Sequence, residues 1–137
     1  MFQNLSYVGI AVRDAAEASS TWCERFGLVA VKEIISDTEG VRSIFVCVPN
    51  AKPDSAQLEF VEPLDPSDMG NPVARHLSTR GEGVLQVAFK VLDPEEAAQT
   101  LTASGVRTVV VPPYAANHGP RAIVSPKSAN GVLLELI

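Results

Sequence analysis

The chain states nearly the same pattern twice. An alternating run, Tyr7-Val8-Gly9-Ile10-Ala11-Val12-Arg13-Asp14, leads into an alanine-rich segment that closes at Phe26-Gly27. A second run, Gln86-Val87-Ala88-Phe89-Lys90-Val91-Leu92-Asp93, does the same and closes at Ser104-Gly105. Each half then carries strand-like runs and ends on an acidic strand, Gln57-Leu58-Glu59-Phe60 in the first and Leu133-Leu134-Glu135-Leu136 in the second. A duplicated sheet-forming unit predicts two similar modules that share a cleft, and function is to be sought there.

Period-two alternation marks the strands. In the first half, Val8, Ile10 and Val12 alternate with Tyr7, Gly9 and Ala11. Asp14 stands in N-cap position with Glu17 three residues on, as in a capping box. Ala15, Ala18, Trp22 and Phe26 recur at helical spacing, which makes Trp22 and Phe26 core residues, and Gly27 is placed to stop the helix. Strands follow over 28–35, 41–48 and 57–61, and 63–70 reads as a linker. A short helix is predicted over 72–79, with Asn71 as cap and Pro72 at its first position. The second half repeats the plan: a strand over 86–91, a helix from Pro94 to Gly105 capped by Asp93, and strands over 106–111, 121–124 and 132–137. The predicted fold is therefore α+β, two βαβββ modules in one chain forming a shared cleft of curved mixed sheets. Module one spans about 4–62, the linker and short helix 63–82, and module two 83–137.

The 137 residues fit one domain, and a hydrophobic fraction of 46% is enough for a real core. A net charge of −5 argues against a nucleic-acid or anionic-membrane partner. No apolar run approaches the roughly 20 residues of a membrane span. The N-terminus has neither a basic region nor an apolar stretch, so no secretory signal is expected. Two cysteines, Cys23 in a helix and Cys47 in a strand, read as reduced thiols of a cytoplasmic protein.

If Val8, Ile10 and Val12 face the helix, then Tyr7, Gly9 and Ala11 face the cleft. The same rule sends Ser43, Phe45, Cys47, Gln57 and Glu59 there from the first module. From the second it sends Gln86, Ala88, Lys90, Leu133 and Glu135. Small residues at Gly9, Ala11 and Ala88 leave room for a ligand. Tyr7 matches Gln86 in the repeat, and Glu59 matches Glu135, so the four side chains are expected to converge.

At these residues the chain resembles the vicinal-oxygen-chelate superfamily, the glyoxalase/bleomycin-resistance fold, and within it the methylmalonyl-CoA epimerases. The resemblance covers nearly the whole chain. It is carried by Val8-Gly9-Ile10-Ala11-Val12 with Asp14, by the tract from Pro72 to Gly83, and by Ser125-Pro126-Lys127 leading into Gly131-Val132-Leu133-Leu134-Glu135-Leu136. It implies a divalent metal held by four side chains and, typically, a homodimer. Two of those four places are histidines in the family pattern. Here the four hold Tyr7, Glu59, Gln86 and Glu135, so both carboxylates remain and both imidazoles are gone. The family's acid/base glutamate on the third strand aligns with Ser43.

Epimerisation beside a thioester needs an electrophile for the enolate oxygen and bases on opposite faces of the carbon. With the imidazoles replaced, Glu59, Gln86 and Glu135 form an oxygen-only donor set, suited to Mg, Ca or Mn. Without a metal, two carboxylates roughly 5 Å apart at an effective dielectric near 20 repel by about 3 kcal/mol. Either one takes a proton or a cation sits between them, and Lys90 is the candidate cation. Three functions follow. The first is an epimerase-like isomerase acting on an acyl-CoA or oxo acid, with Glu135 and Glu59 as catalytic groups and Tyr7, Ser43, Gln86 and Lys90 binding the ligand. The second is a metal-free binding protein of the bleomycin-resistance type. The third is a metal-independent enzyme recruited elsewhere. Arg121 and Lys127 flank the last hairpin and read as solvated charge or as contacts for an anionic tail. His76 and His118 lie off the expected ligand positions.

Overall fold

The computed structural model describes residues 1–113 and 119–137. His118 lies outside the described residues. Eight strands and three helices run in the order β1 (Phe2–Ala11), α1 (Ala15–Phe26), β2 (Val29–Ser36), β3 (Val41–Cys47), β4 (Gln57–Pro63), α2 (Pro72–Arg80), β5 (Gly83–Val91), α3 (Pro94–Ala103), β6 (Thr108–Val111), β7 (Arg121–Val124) and β8 (Leu133–Leu136), with a 3-10 turn at Pro126–Ser128. The fold is α+β with mixed strand pairing, the class the repeat predicts. The chain forms two compact units: Val8–Leu85, and Met1–Tyr7 with Gln86–Ile137. Both β1 and β5 contribute residues to each unit.

The repeat is visible in the strand order. The first half reads β1-β4-β3-β2 and the second β5-β8-β7-β6. The helix starts repeat too. Asp14 (φ −141°, ψ 103°) accepts from the Glu17 amide, and Asp93 (φ −143°, ψ 109°) accepts from the amides of Glu95 and Glu96. An extended aspartate satisfies amides that the first helical turn leaves without partners. Gly27 adopts the left-handed conformation (φ 69°) that ends α1, which a residue with a Cβ adopts at a cost.

In the Val8–Leu85 unit, α1 covers one sheet face. Val12, Ala15, Ile44, Val46 and Phe60 are buried there, with Ile10, Ala18 and Trp22 packed against them. Trp22 meets the edge of Phe60 at 5.3 Å between centroids, as expected of a core residue. Phe26 does not follow that expectation: it is 62% exposed at the last turn of α1. The opposite face of this unit is also covered. There α2 buries Val73 and Leu77 against Ala11 and Val61. Ala11 therefore packs beneath a helix and does not leave ligand room. In the other unit, α3 packs Ala97 and Ala98 against Val91, Ala122, Val124 and Leu136.

Strand ends differ from the sequence expectation where polar residues carry no alternation. β1 begins at Phe2, five residues before the expected start, and runs through the polar residues Gln3, Asn4 and Ser6. Phe2 is anchored by stacking on Phe89 at 4.8 Å. Similarly, β4 continues through Pro63, into what reads as linker. No helix among the described residues is long and apolar enough to cross a membrane.

Candidate functional site

Glu135 is at the centre of the site. It lies on β8, beside Ala88 of parallel β5 and Ile123 of antiparallel β7. Leu134 and Leu136 turn toward α3, so alternation turns Glu135 to the other face. It is 2% exposed. A carboxylate this deep requires donors or a counter-charge.

Both are present. The Tyr7 hydroxyl donates to Glu135 Oε2 at 2.5 Å. The Arg121 guanidinium donates from Nη1 to Glu135 Oε1 at 2.5 Å and from Nη2 to the Pro112 carbonyl at 3.4 Å. Tyr7 is 8% and Arg121 6% exposed, so the three side chains form a buried tyrosine–carboxylate–guanidinium group. Strand register makes the pairing possible. Ile123 faces Glu135 across the β7–β8 ladder, and Arg121 stands two residues back on the same strand face. That diagonal separation is within reach of a long side chain. Ala88, fully buried beside Glu135, adds no bulk there.

Arg121, which the sequence pattern reads as solvated charge or as a contact for an anionic tail, is instead buried against Glu135. The signal was its parity: Ala122 and Val124 face the core, so Arg121 and Ile123 face the other way. The register that pairs β7 with β8 was needed to bring it to Glu135. The cation bound to Glu135 is thus Arg121, whereas Lys90 is exposed on β5. Gln86 is half-buried on β5, level with Leu133 of β8. Lys127 is exposed in the 3-10 turn.

The other predicted residues belong to the Val8–Leu85 unit. Glu59 is buried on β4, opposite Phe45 of β3, and Ser43 is buried opposite Val61. Glu59 and Ser43 share one face of the β3–β4 sheet. Lys32 Nζ sits 4.4 Å from the Phe45 ring centre, a cation–π contact next to the Glu59 register position. His76, on α2, is partly buried, and burial followed by the charge of Arg80 holds its pKa below the usual imidazole value. An open depression of about 650 Å3 lies along α1, β2 and β3 and is lined by Ser19, Ser20, Cys23, Glu33 and Arg42 among others. It contains none of the predicted site residues.

The divalent ion implied by the resemblance can be tested against this donor set. Among the described residues no group of three His, Cys, Asp or Glu side chains is placed to hold one. Each oxygen of Glu135 already accepts a short hydrogen bond. A doubly charged ion roughly 5 Å from the guanidinium would be repelled by about 7 kcal/mol at an effective dielectric near 20. The described residues around Glu135 do not fit a divalent metal.

Comparison with known proteins places these observations. The profile of the glyoxalase/bleomycin resistance protein/dioxygenase superfamily matches residues 7–124. The mitochondrial methylmalonyl-CoA epimerase of Dictyostelium discoideum is 30% identical over 134 residues, covering 96% of this chain and 76% of that protein. The crystal structure of methylmalonyl-CoA epimerase from Mycobacterium tuberculosis matches with a TM-score of 0.85 at 32% identity, over 98% of this chain and 87% of that one. The Streptomyces coelicolor epimerase in complex with 2-nitronate-propionyl-CoA shares the fold, with a TM-score of 0.86 at 24% identity over 99% and 96% of the two chains.

Proposed function

The chain belongs to the glyoxalase/bleomycin resistance protein/dioxygenase superfamily, and from that membership we propose that it is an epimerase-like isomerase moving a proton next to the carbonyl of an acyl-CoA or a related oxo acid. The observation that carries this reading is the match along nearly the whole chain to a methylmalonyl-CoA epimerase. The buried carboxylate of Glu135 supports it, since it sits on the last strand where the family pattern keeps a glutamate. Glu135 and its repeat counterpart Glu59 are the proposed acid/base groups. Tyr7, Ser43, Gln86 and Lys90 are the proposed ligand contacts. A cytoplasmic homodimer is part of the same proposal, and sedimentation of the purified protein tests the dimer.

Proton transfer beside a thioester requires a positioned base and a positive or hydrogen-bonding group toward the oxygen that gains charge. In this chain Arg121 and Tyr7 hold Glu135 by both oxygens, which fixes its orientation. That same double engagement favours a second reading, a metal-free protein that binds a small molecule without turning it over. Solvent-deuterium incorporation into methylmalonyl-CoA, followed by NMR, separates the two. Exchange that is lost in Glu135→Gln supports the isomerase. Binding of the thioester with no exchange supports the binding protein.

A further inference from the structure

We propose that Arg121 is the resident cation of the Glu135 site: its guanidinium makes the contact that a divalent ion would otherwise make, and the site works without metal. Three observations lead there. The guanidinium and the carboxylate are buried together, with Nη1 2.5 Å from Oε1. The second carboxylate oxygen is taken by the Tyr7 hydroxyl, so the donors around Glu135 close without an ion. Arg121 Nη2 also donates to the Pro112 carbonyl at 3.4 Å.

The substitution changes the chemistry in a definite way. A guanidinium keeps its charge at any working pH and is covalently part of the chain, so a chelator cannot remove it. It offers N–H donors in a fixed plane, where a metal offers open coordination positions. The group around Glu135 therefore works through hydrogen bonds and offers no coordination position. A tyrosine at position 7 fits the same arrangement, because the phenol gives Glu135 a donor and does not compete for an ion. The consequence for turnover rests on the epimerase-like reading, whereas the assignment of Arg121 does not.

Calorimetric titration of chelator-treated full-length protein with MnCl2 and CoCl2 tests the assignment. The wild type is expected to show no stoichiometric binding. Tyr7→His/Arg121→Val, which introduces an imidazole and removes the guanidinium, is expected to bind either ion stoichiometrically, and its failure to do so while folded would count against the assignment. Arg121→Lys, which keeps a cation, serves as the second variant and is expected to stay metal-free; circular dichroism checks that each is folded. Stoichiometric binding by the wild type that disappears in Glu135→Gln would overturn the assignment. A parallel deuterium-exchange assay keeps the two readings apart. Exchange abolished by chelator and restored by Mn2+ sinks the assignment and keeps the isomerase. A wild type that takes no metal and catalyses no exchange sinks the isomerase and keeps the assignment.

Discussion

Arg121 Nη1 lies 2.5 Å from Glu135 Oε1, and both side chains are almost completely out of solvent on the adjacent strands β7 and β8. Such a pair is costly to break from one side, because the remaining charge stays buried without its partner. Arg121→Met is expected to destabilise the fold by about 3–5 kcal/mol, whereas Arg121→Met/Glu135→Leu recovers most of the loss. Urea denaturation of the wild type, both single variants and the double variant gives the coupling directly. Additive losses would show that the pair does not act as a unit.

Tyr7 contributes through one atom. Tyr7→Phe keeps the ring and removes the hydroxyl that donates to Glu135 Oε2. A hydrogen bond to a charged group contributes about 1.5–3 kcal/mol, and that is the expected loss in urea denaturation. No loss would mean that Glu135 finds another donor at once.

Asn71 does two jobs at the start of α2. Its Oδ1 accepts from the amides of Val73 and Ala74, while its Nδ2 donates to the carbonyls of Glu39 and Gly40 in the β2–β3 turn. Asn71→Ala loses cap and turn together and is expected to cost about 2 kcal/mol. Asn71→Ser keeps a capping oxygen and removes only the donors, so its cost is expected to be about half of that. Equal costs for the two variants would place the whole effect on the turn.

His76 sets the sign of one pH effect. Burial and then Arg80 hold its folded-state pKa below the usual 6.5. The unfolded chain then binds the proton more readily, so stability from this residue is complete above about pH 6.5 and declines as the pH falls through 6.5 toward the lower folded value. Partial exposure of the ring keeps the effect small. His76→Gln is expected to flatten the stability profile in that window, as measured by urea midpoints from pH 5 to pH 8.

How much of this was legible in the sequence depended on what kind of signal each feature leaves. The helix starts were readable because Asp14, Asn71 and Asp93 announce themselves by residue type and by the proline or glutamate that follows. The strand carrying Glu135 was readable from its alternation. The burial of Ala11 was not, because it depends on α2 folding back over the strand, a tertiary contact with no local signature. Phe26 falls on the helical stripe at the last turn of α1, where its ring meets the edge of Trp22 at 5.2 Å yet stays 62% exposed. Arg121 was hidden for a different reason. Its strand is legible at 121–124, but its partner follows from how β7 and β8 slide against each other, and the turn between them does not reveal that register.

The most direct measurement is solvent-deuterium incorporation into methylmalonyl-CoA by protein stripped of metal with a chelator. The account predicts exchange that is unchanged by chelation or by added Mn2+, and lost in Glu135→Gln. Exchange that vanishes on chelation and returns with Mn2+ would contradict it, because Arg121 would then not be serving in place of an ion.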